Sequence, residues 1–414
     1  MATRERFLDR IGIPSSLFFG FVGLLIFMIG DGVESGYLAP YLVGRGIDIK
    51  DVASISAVYG TAAALAGWFS GALSDVWGPR RVIATGLAIW MLFQVAFLKI
   101  GLAHPTAASV MVTYGLRGFG YPLFAFGFLV WITVAAPQHR LASAMGWFWF
   151  AFTGGLPTLG SLVARYSIPR FGSYSTFWIA TALALMGGVI LLAGVREKRG
   201  TQRLIKEDKN PFVALLHSIT LAWRKPKIGI GCLVRIINTA PEFGFFIILP
   251  GFFEQIIGFS QAQYLTLLSA IFFSNILWNL LFGLIGDRFG WRLTVATCGG
   301  FGSAITTLLL FYVPSATHSY PASLAVGMLY GATLAGYVPL SALMPMLAPS
   351  HRGEALSMLN LGAGAAMLVG PALVSLFFGA AGIRGMMWIF AVLYLVSGFL
   401  ALLLTHEEEK VAIA

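Results

Sequence analysis

Gly71-Ala72-Leu73-Ser74-Asp75-Val76-Trp77-Gly78-Pro79-Arg80-Arg81 closes one long apolar run, and Gly283-Leu284-Ile285-Gly286-Asp287-Arg288-Phe289-Gly290-Trp291-Arg292 closes another. Asp75 and Asp287 lie 212 residues apart, and glycine, aspartate, glycine and arginine recur around them at the same spacing. Three further matches follow at similar offsets. Gly120-Tyr121-Pro122-Leu123 pairs with Gly336-Tyr337-Val338-Pro339-Leu340, Arg140 with Arg352, and Glu34-Ser35-Gly36-Tyr37 with Glu242-Phe243-Gly244-Phe245. Chance accounts for one such match, but four in the same order mark an internal repeat of about half the chain.

The repeat is written in residues suited to lipid. Of 414 residues 58% are apolar and 11% charged, with a mean hydropathy of +0.82; a soluble fold keeps roughly a quarter of its residues charged. Crossing ~30 Å of hydrocarbon takes about 20 apolar residues in a helix. Runs of that length are expected at 15–38, 52–73, 82–102, 108–133, 141–164, 174–195, 228–253, 262–285, 293–313, 321–345, 354–378 and 383–405. They are continuously apolar rather than alternating, which argues for helices and against a barrel. The expected fold class is therefore an all-α polytopic membrane protein with twelve transmembrane helices in two pseudo-symmetric six-helix bundles. The first run continues through Asp31 and Glu34 without a small-residue cleavage site and reads as a retained helix. Cys232 and Cys298 sit inside apolar runs and read as packing residues rather than a disulfide.

The net charge of +10 would suggest nucleic acid in a soluble protein. Here most of the 27 lysines and arginines fall on one side of the predicted spans: Arg4, Arg6 and Arg10, Arg80 and Arg81, Arg140, Arg288 and Arg292, Arg352, Lys410, and a cluster between residues 196 and 227. By the positive-inside rule that side is cytoplasmic, and it holds both termini. The basic excess is thus topological, and the surroundings are a lipid bilayer, with no nucleic-acid partner. The polar stretch 196–227 divides the chain into bundles 1–195 and 228–414, and its later part, 211–223, has an apolar stripe suited to the membrane surface.

An ionisable side chain in mid-membrane costs roughly 2.5–3.5 kcal/mol on insertion scales, so each one is a functional candidate. Asp31 and Glu34 share a face of the first span, Arg117 lies in the fourth, and Arg235 and Glu242 lie in the seventh with Asn238 between them. Lys99, near an outer end, reads as snorkelling. Burial favours the protonated form of a carboxyl and a nearby guanidinium favours the ionised form. A carboxyl whose arginine partner can move is therefore a proton switch, which makes Asp31, Glu34 and Arg117 the candidate coupling group. Polar and aromatic side chains recur at other inner positions: Tyr121, Trp147, Trp149, Asn275, Trp278, Asn279, Tyr337 and Asn360. Amides and indoles offer donors, acceptors and flat apolar faces to a hydroxyl-rich ligand. With Arg235, Asn238 and Glu242 they form the candidate solute site.

The G-x-x-x-D-x-x-G-x-R pattern puts an acid and bases at a helix end, where Asp75, Arg80, Arg81, Asp287 and Arg292 could bond to a neighbouring helix and hold one conformation closed. It resembles the signature loop of the major facilitator superfamily, and the resemblance extends over the whole chain. It implies two six-helix bundles around a central cavity that opens alternately to either side. Gly30-Asp31-Gly32-Val33-Glu34, Arg117-Gly118-Phe119-Gly120-Tyr121-Pro122-Leu123-Phe124, Gly146-Trp147-Phe148-Trp149 and Val234-Arg235-Ile236-Ile237-Asn238-Thr239 are similar to the bacterial pentitol permeases, the ribitol and arabinitol transporters. That similarity implies symport of a sugar alcohol with protons, Asp31, Glu34 and Arg117 being the coupling group and Arg235 and Asn238 belonging to the second-half site. Glu242 has no place in that pattern.

Competing classes are a proton-driven exporter of drugs or metabolites and an organic-anion carrier that uses Arg117 and Arg235. A membrane enzyme would need a nucleophile with its base or a metal cluster. None of the six histidines lies centrally in a predicted span, and no metal spacing or phosphate loop occurs. No cofactor, catalytic residue or metal is expected, and the functional unit is expected to be a monomer.

Overall fold

A computed structural model describes residues 13–135, 141–195, 197–202, 222–348 and 352–405, together with Leu8 and Thr220. The expected surface helix at 211–223 lies mostly outside the described residues, as do Arg140, the chain ends and the side chains of Asp75 and Asp287. The helices in chain order are α1 (Phe18–Gly32), α2 (Leu38–Gly44), α3 (Ile49–Trp77), α4 (Pro79–Ala96), α5 (Ala107–Arg117), α6 (Gly120–Ala135), α7 (Leu141–Thr153), α8 (Gly160–Gly194), α9 (Pro226–Gly251), α10 (Gln261–Phe289), α11 (Trp291–Thr294), α12 (Ser303–Thr317), α13 (Tyr320–Leu334), α14 (Leu340–Leu347) and α15 (Arg352–Leu402). Wider π-helical turns occupy Phe97–Gly101, Gly154–Leu159, Phe252–Ile256 and Val295–Gly302. No strand occurs among the described residues.

Nine described segments are long and apolar enough to cross a membrane. Two of them, Gly146–Gly194 and Met358–Leu402, run to 49 and 45 residues and are each divided by one glycine with positive φ, Gly172 at 78° and Gly382 at 61°. Those divisions fall between the expected fifth and sixth and the expected eleventh and twelfth spans. With the 29-residue α10, the described residues supply helix at each of the twelve expected spans. Gly78 and Gly290 repeat the same device, at φ 86° and 92°, where α3 meets α4 and α10 meets α11. A side chain with a Cβ is strained at such angles, which explains glycine in both copies of the repeated loop. Elsewhere polar caps start the helices. Thr106 and Ser109 form a reciprocal capping box at α5, and Ser260 and Gln263 do the same at α10.

The chain forms two compact units, one of Met1–Leu38 and Leu65–Pro211, the other of Ala39–Ala64 and Phe212–Ala414. In the first unit α1 packs along α8 through small residues. A Cβ on Gly30 would lie 2.6 Å from the Ala184 nitrogen, and one on Gly23 would lie 2.6 Å from the Gly187 oxygen. Backbones this close are what membrane helices use in place of a hydrophobic driving force. In the second unit α9 packs along α15 in the same manner. A Cβ on Gly362 would lie 2.8 Å from the Cys232 oxygen, and one on Gly244 would touch the Phe390 ring at 2.5 Å. The first half of α3 belongs here, where Ser54 Oγ bonds Ser375 Oγ at 2.8 Å. Cys232 and Cys298 are free thiols.

Three expected spans are interrupted in the structure: 108–133 at residues 118–119, 321–345 at residues 335–339, and the first. The sequence suggests a single helix through 15–38, but α1 ends at Gly32 and residues 33–37 form turns, with Ser35 N donating to Gly32 O at 3.1 Å and Tyr37 N to Glu34 O at 3.0 Å. Gly30, Gly32 and Gly36 each weaken the helix by about 1 kcal/mol relative to alanine. Gly32 also packs directly on the Leu156 carbonyl of the wide turn Gly154–Leu159. The break leaves Glu34 on a turn rather than a helix face.

Candidate functional site

The first unit gathers its intramembrane charges at this break. Asp31 from the last turn of α1, Glu34 from the turn after it and Arg117 from the end of α5 are all buried, the arginine to 1% exposure. Arg117 Nη1 donates to Glu34 Oε2 at 2.9 Å and Nη2 donates to Glu34 Oε1, a two-pronged pairing of guanidinium and carboxylate. Asp31 Oδ1 is further away, 3.7 Å from Arg117 Nη2. Instead, Asp31 Oδ1 accepts a hydrogen bond from Trp90 Nε1 at 2.6 Å.

Three residues that the sequence did not single out complete the cluster. Trp90 and Gln94 stand one turn apart on α4, and Tyr114 stands one turn before Arg117 on α5. Tyr114 donates its hydroxyl to Glu34 Oε1 at 2.9 Å, and Gln94 Oε1 accepts from Arg117 Nη1 at 2.5 Å. The guanidinium carbon lies 4.5 Å from the Tyr114 ring centre and 5.1 Å from that of Trp90, so aromatic faces cover the cation. Gln94 Nε2 is buried and has no hydrogen-bond partner among the described residues. The i, i+4 spacing of Trp90 and Gln94 is the signal available in the sequence; it stays mute until α1 is known to lie opposite. Tyr121 is buried in the same unit, its ring centre 6.3 Å from that of Phe152.

The second unit has a different arrangement. Arg235 Nη1 donates to Asn238 Oδ1 at 2.6 Å, one turn along α9. The Asn238 carbonyl accepts the Tyr394 hydroxyl at 3.3 Å, and that hydroxyl bonds the Tyr330 hydroxyl at 2.8 Å. Tyr337 joins Ser397 at 2.8 Å nearby, its ring centre 6.3 Å from that of Tyr394. Glu242 makes no hydrogen bond or ion pair among the described residues. The repeat explains its isolation. At the offset that pairs Glu34 with Glu242, Asp31 pairs with Thr239; at the offset that pairs Gly120 with Gly336, Tyr114 pairs with Tyr330 and Arg117 with Thr333. Thr333 Oγ1 is engaged with Thr306 Oγ1 at 2.8 Å.

The remaining expected site residues are dispersed. Asn275 Nδ2 donates to the Gly331 carbonyl at 3.1 Å, tying α10 to α13, and Asn279 Nδ2 donates to Asn275 Oδ1 at 3.3 Å. Trp147 is half-buried against Phe150, while Trp149, Trp278 and Asn360 are exposed. Of the expected gating residues, Arg80 Nη2 donates to Leu192 O at 2.7 Å and Arg292 Nη1 to Leu402 O at 2.9 Å, each at the last turn of a long helix. Arg81 is exposed.

Comparison with known proteins agrees with this architecture. The family model described as Major Facilitator Superfamily matches residues 20–236 and 231–413. An alpha-ketoglutarate permease of Bacillus subtilis (strain 168) is 42% identical over 404 residues, 97% of this chain and 92% of the relative. A D-arabinitol transporter of Klebsiella pneumoniae is 34% identical over 96% of this chain and 94% of its own length. A ribitol transporter of Klebsiella pneumoniae is 32% identical over 96% and 93%. The relatives are named permeases and transporters, not enzymes, and a small solute is the implied cargo. With the matches extending across both halves of the repeat, the chain belongs to the Major Facilitator Superfamily and is a multi-pass membrane transporter.

Proposed function

We propose that the protein is a proton-coupled symporter that imports a small polyhydroxy solute by alternating access. It works as a monomer in the cytoplasmic membrane, with bundles 1–195 and 228–414, the linker 196–227 and both termini on the cytoplasmic side. The observation that carries the reading is the ratio of charges in the first unit: two buried carboxylates, Asp31 and Glu34, share the single guanidinium of Arg117. With both acids ionised the cluster holds one net negative charge. An uncompensated buried charge costs several kcal/mol, and one proton removes it.

The two acids are held differently, which supports different roles for them. Glu34 is fully engaged by Arg117 and Tyr114 and acts as the fixed counter-ion. Among the described residues Asp31 has only the Trp90 indole within hydrogen-bond distance, so it is the acid that takes and gives the proton. Protonation of Asp31 leaves Arg117 neutralised by Glu34 alone, a closed pair that can cross the reorientation with solute bound. Loss of the proton toward the cytoplasm restores the odd charge and prepares the return. The spare Gln94 amide is a donor within this cluster for a carboxylate that shifts during the exchange.

Relatives named for D-arabinitol and ribitol support a hydroxyl-rich cargo. An organic-acid cargo is the second reading, favoured by the alpha-ketoglutarate permease and by Arg235, whose guanidinium has no carboxylate at ion-pair distance among the described residues. Arg117 is enclosed by the protein's own acids, which leaves Arg235 as the anion-binding candidate in that case. Recording proton movement in reconstituted vesicles against pentitols, hexitols, organic acids and cationic drugs tests the proposal. Uptake of protons driven by a polyhydroxy solute is the expected result. Proton movement driven only by drugs, in the opposite direction, would replace symport with export.

A further inference from the structure

The second unit presents charged groups that remain available to a ligand, in contrast to the closed cluster of the first. Arg235 and Glu242 are seven residues apart on α9, so they lie within about 20° on one face and about 10 Å along the axis. The Arg235 guanidinium folds forward onto Asn238, one turn short of Glu242, yet beyond ion-pair distance from it. Both side chains are half-buried and keep accessible surface.

The donor and acceptor inventory is sharply divided. At one end stand the guanidinium N–H groups that Asn238 does not use, beside the Asn238 amide N–H groups, all donors. At the other end stands the Glu242 carboxylate, which when ionised only accepts. A neutral polyol answers the second set but leaves Arg235 without a counter-charge. A dicarboxylate answers the first set but brings its second negative group toward Glu242. One carboxylate followed by hydroxyls answers both, the carboxylate pairing with Arg235 and the hydroxyls donating to Glu242.

We propose that Arg235, Asn238 and Glu242 form a solute subsite selective for a small monocarboxylate that carries hydroxyl groups, of the five-carbon aldonate kind. This rests on the transporter reading above and narrows its polyhydroxy solute to a polyhydroxy acid. Arg235 anchors the carboxylate, and Glu242 does two things at once: it accepts hydroxyls and repels a second acid group. The absence of a cation at position 333, where the first unit has Arg117, keeps Glu242 available for that role.

The test is equilibrium binding to the full-length protein in lipid nanodiscs, using D-ribonate, ribitol and 2-oxoglutarate as probes, with proton movement recorded in parallel vesicles. Wild type is expected to bind D-ribonate most tightly. Arg235→Gln should weaken D-ribonate by about thirtyfold or more while changing ribitol little, because the lost partner is a desolvated charge. Arg235→Lys should retain part of the preference, which guards against a folding artefact. Glu242→Gln should narrow the discrimination against 2-oxoglutarate. Tighter binding of ribitol or 2-oxoglutarate than of D-ribonate by wild type would overturn the proposal, as would D-ribonate affinity indifferent to Arg235→Gln. If ribitol drives protons and D-ribonate neither binds nor does so, the symport reading stands and this inference alone fails. If D-ribonate binds as described but no solute moves protons, the coupling reading fails and the subsite remains.

Discussion

Arg80 and Arg292 stand 212 residues apart and do the same thing: each spans to a helix in its own unit and donates to a carbonyl in that helix's last turn, Leu192 for one and Leu402 for the other. Those carbonyls are among the four at a helix end that lack an intrahelical partner. A cation there also meets the negative end of the helix dipole. The repeated loop therefore has a physical task in both halves, beyond marking the family.

Removing either cap should lower stability by about 1–2 kcal/mol. Arg80→Ala and Arg292→Ala are expected to reduce the melting temperature of the purified protein separately, and Arg80→Lys should recover part of the loss. Melting that is indifferent to both alanine variants would contradict the capping role.

The pairing of Arg117 with Glu34 makes a sharper prediction, because breaking a buried pair differs from removing it. Arg117→Gln alone strands two acids and should cost about 3–5 kcal/mol, read as poor yield or a large fall in melting temperature. The double variant Arg117→Gln with Glu34→Gln should be more stable than the single one, and a double-mutant cycle measures the coupling. Equal damage from single and double variants would mean that the two side chains do not act as a pair.

The seam between α1 and α8 predicts intolerance at Gly30. A methyl group there would stand 2.6 Å from the Ala184 nitrogen, closer than van der Waals contact allows. Gly30→Ala is expected to cost about 1–3 kcal/mol through overpacking and to shift the neighbouring Asp31. Gly146, where an added Cβ meets nothing within 4 Å, serves as the control, and Gly146→Ala should leave melting unchanged.

Much of this was legible in the sequence. Acids and arginines inside apolar runs are so few that Asp31, Glu34 and Arg117 could be singled out, and the structure does bring them together. The residues that complete the cluster were not legible. Tryptophan and tyrosine are ordinary in membrane helices, so nothing marked Trp90 or Tyr114 until the register of α4 and α5 against α1 was known. The break after Gly32 was hidden for a related reason: apolar residues resume directly after Gly36, and the packing of Gly32 on the Leu156 carbonyl comes from a contact 124 residues away in sequence. Asn275 illustrates the opposite case. Its amide suited a ligand by type, yet it is used in holding α10 to the Gly331 carbonyl of α13.

The central claim is that Asp31 carries the coupled proton while Glu34 holds Arg117. The most direct measurement is solute transport by Asp31→Asn in vesicles, with and without an imposed pH gradient, using whichever polyhydroxy solute wild type accepts. The account predicts that exchange of solute at equal concentrations survives, whereas uphill accumulation under the gradient and solute-driven proton uptake are both lost. Accumulation that persists in Asp31→Asn at the wild-type level would contradict it.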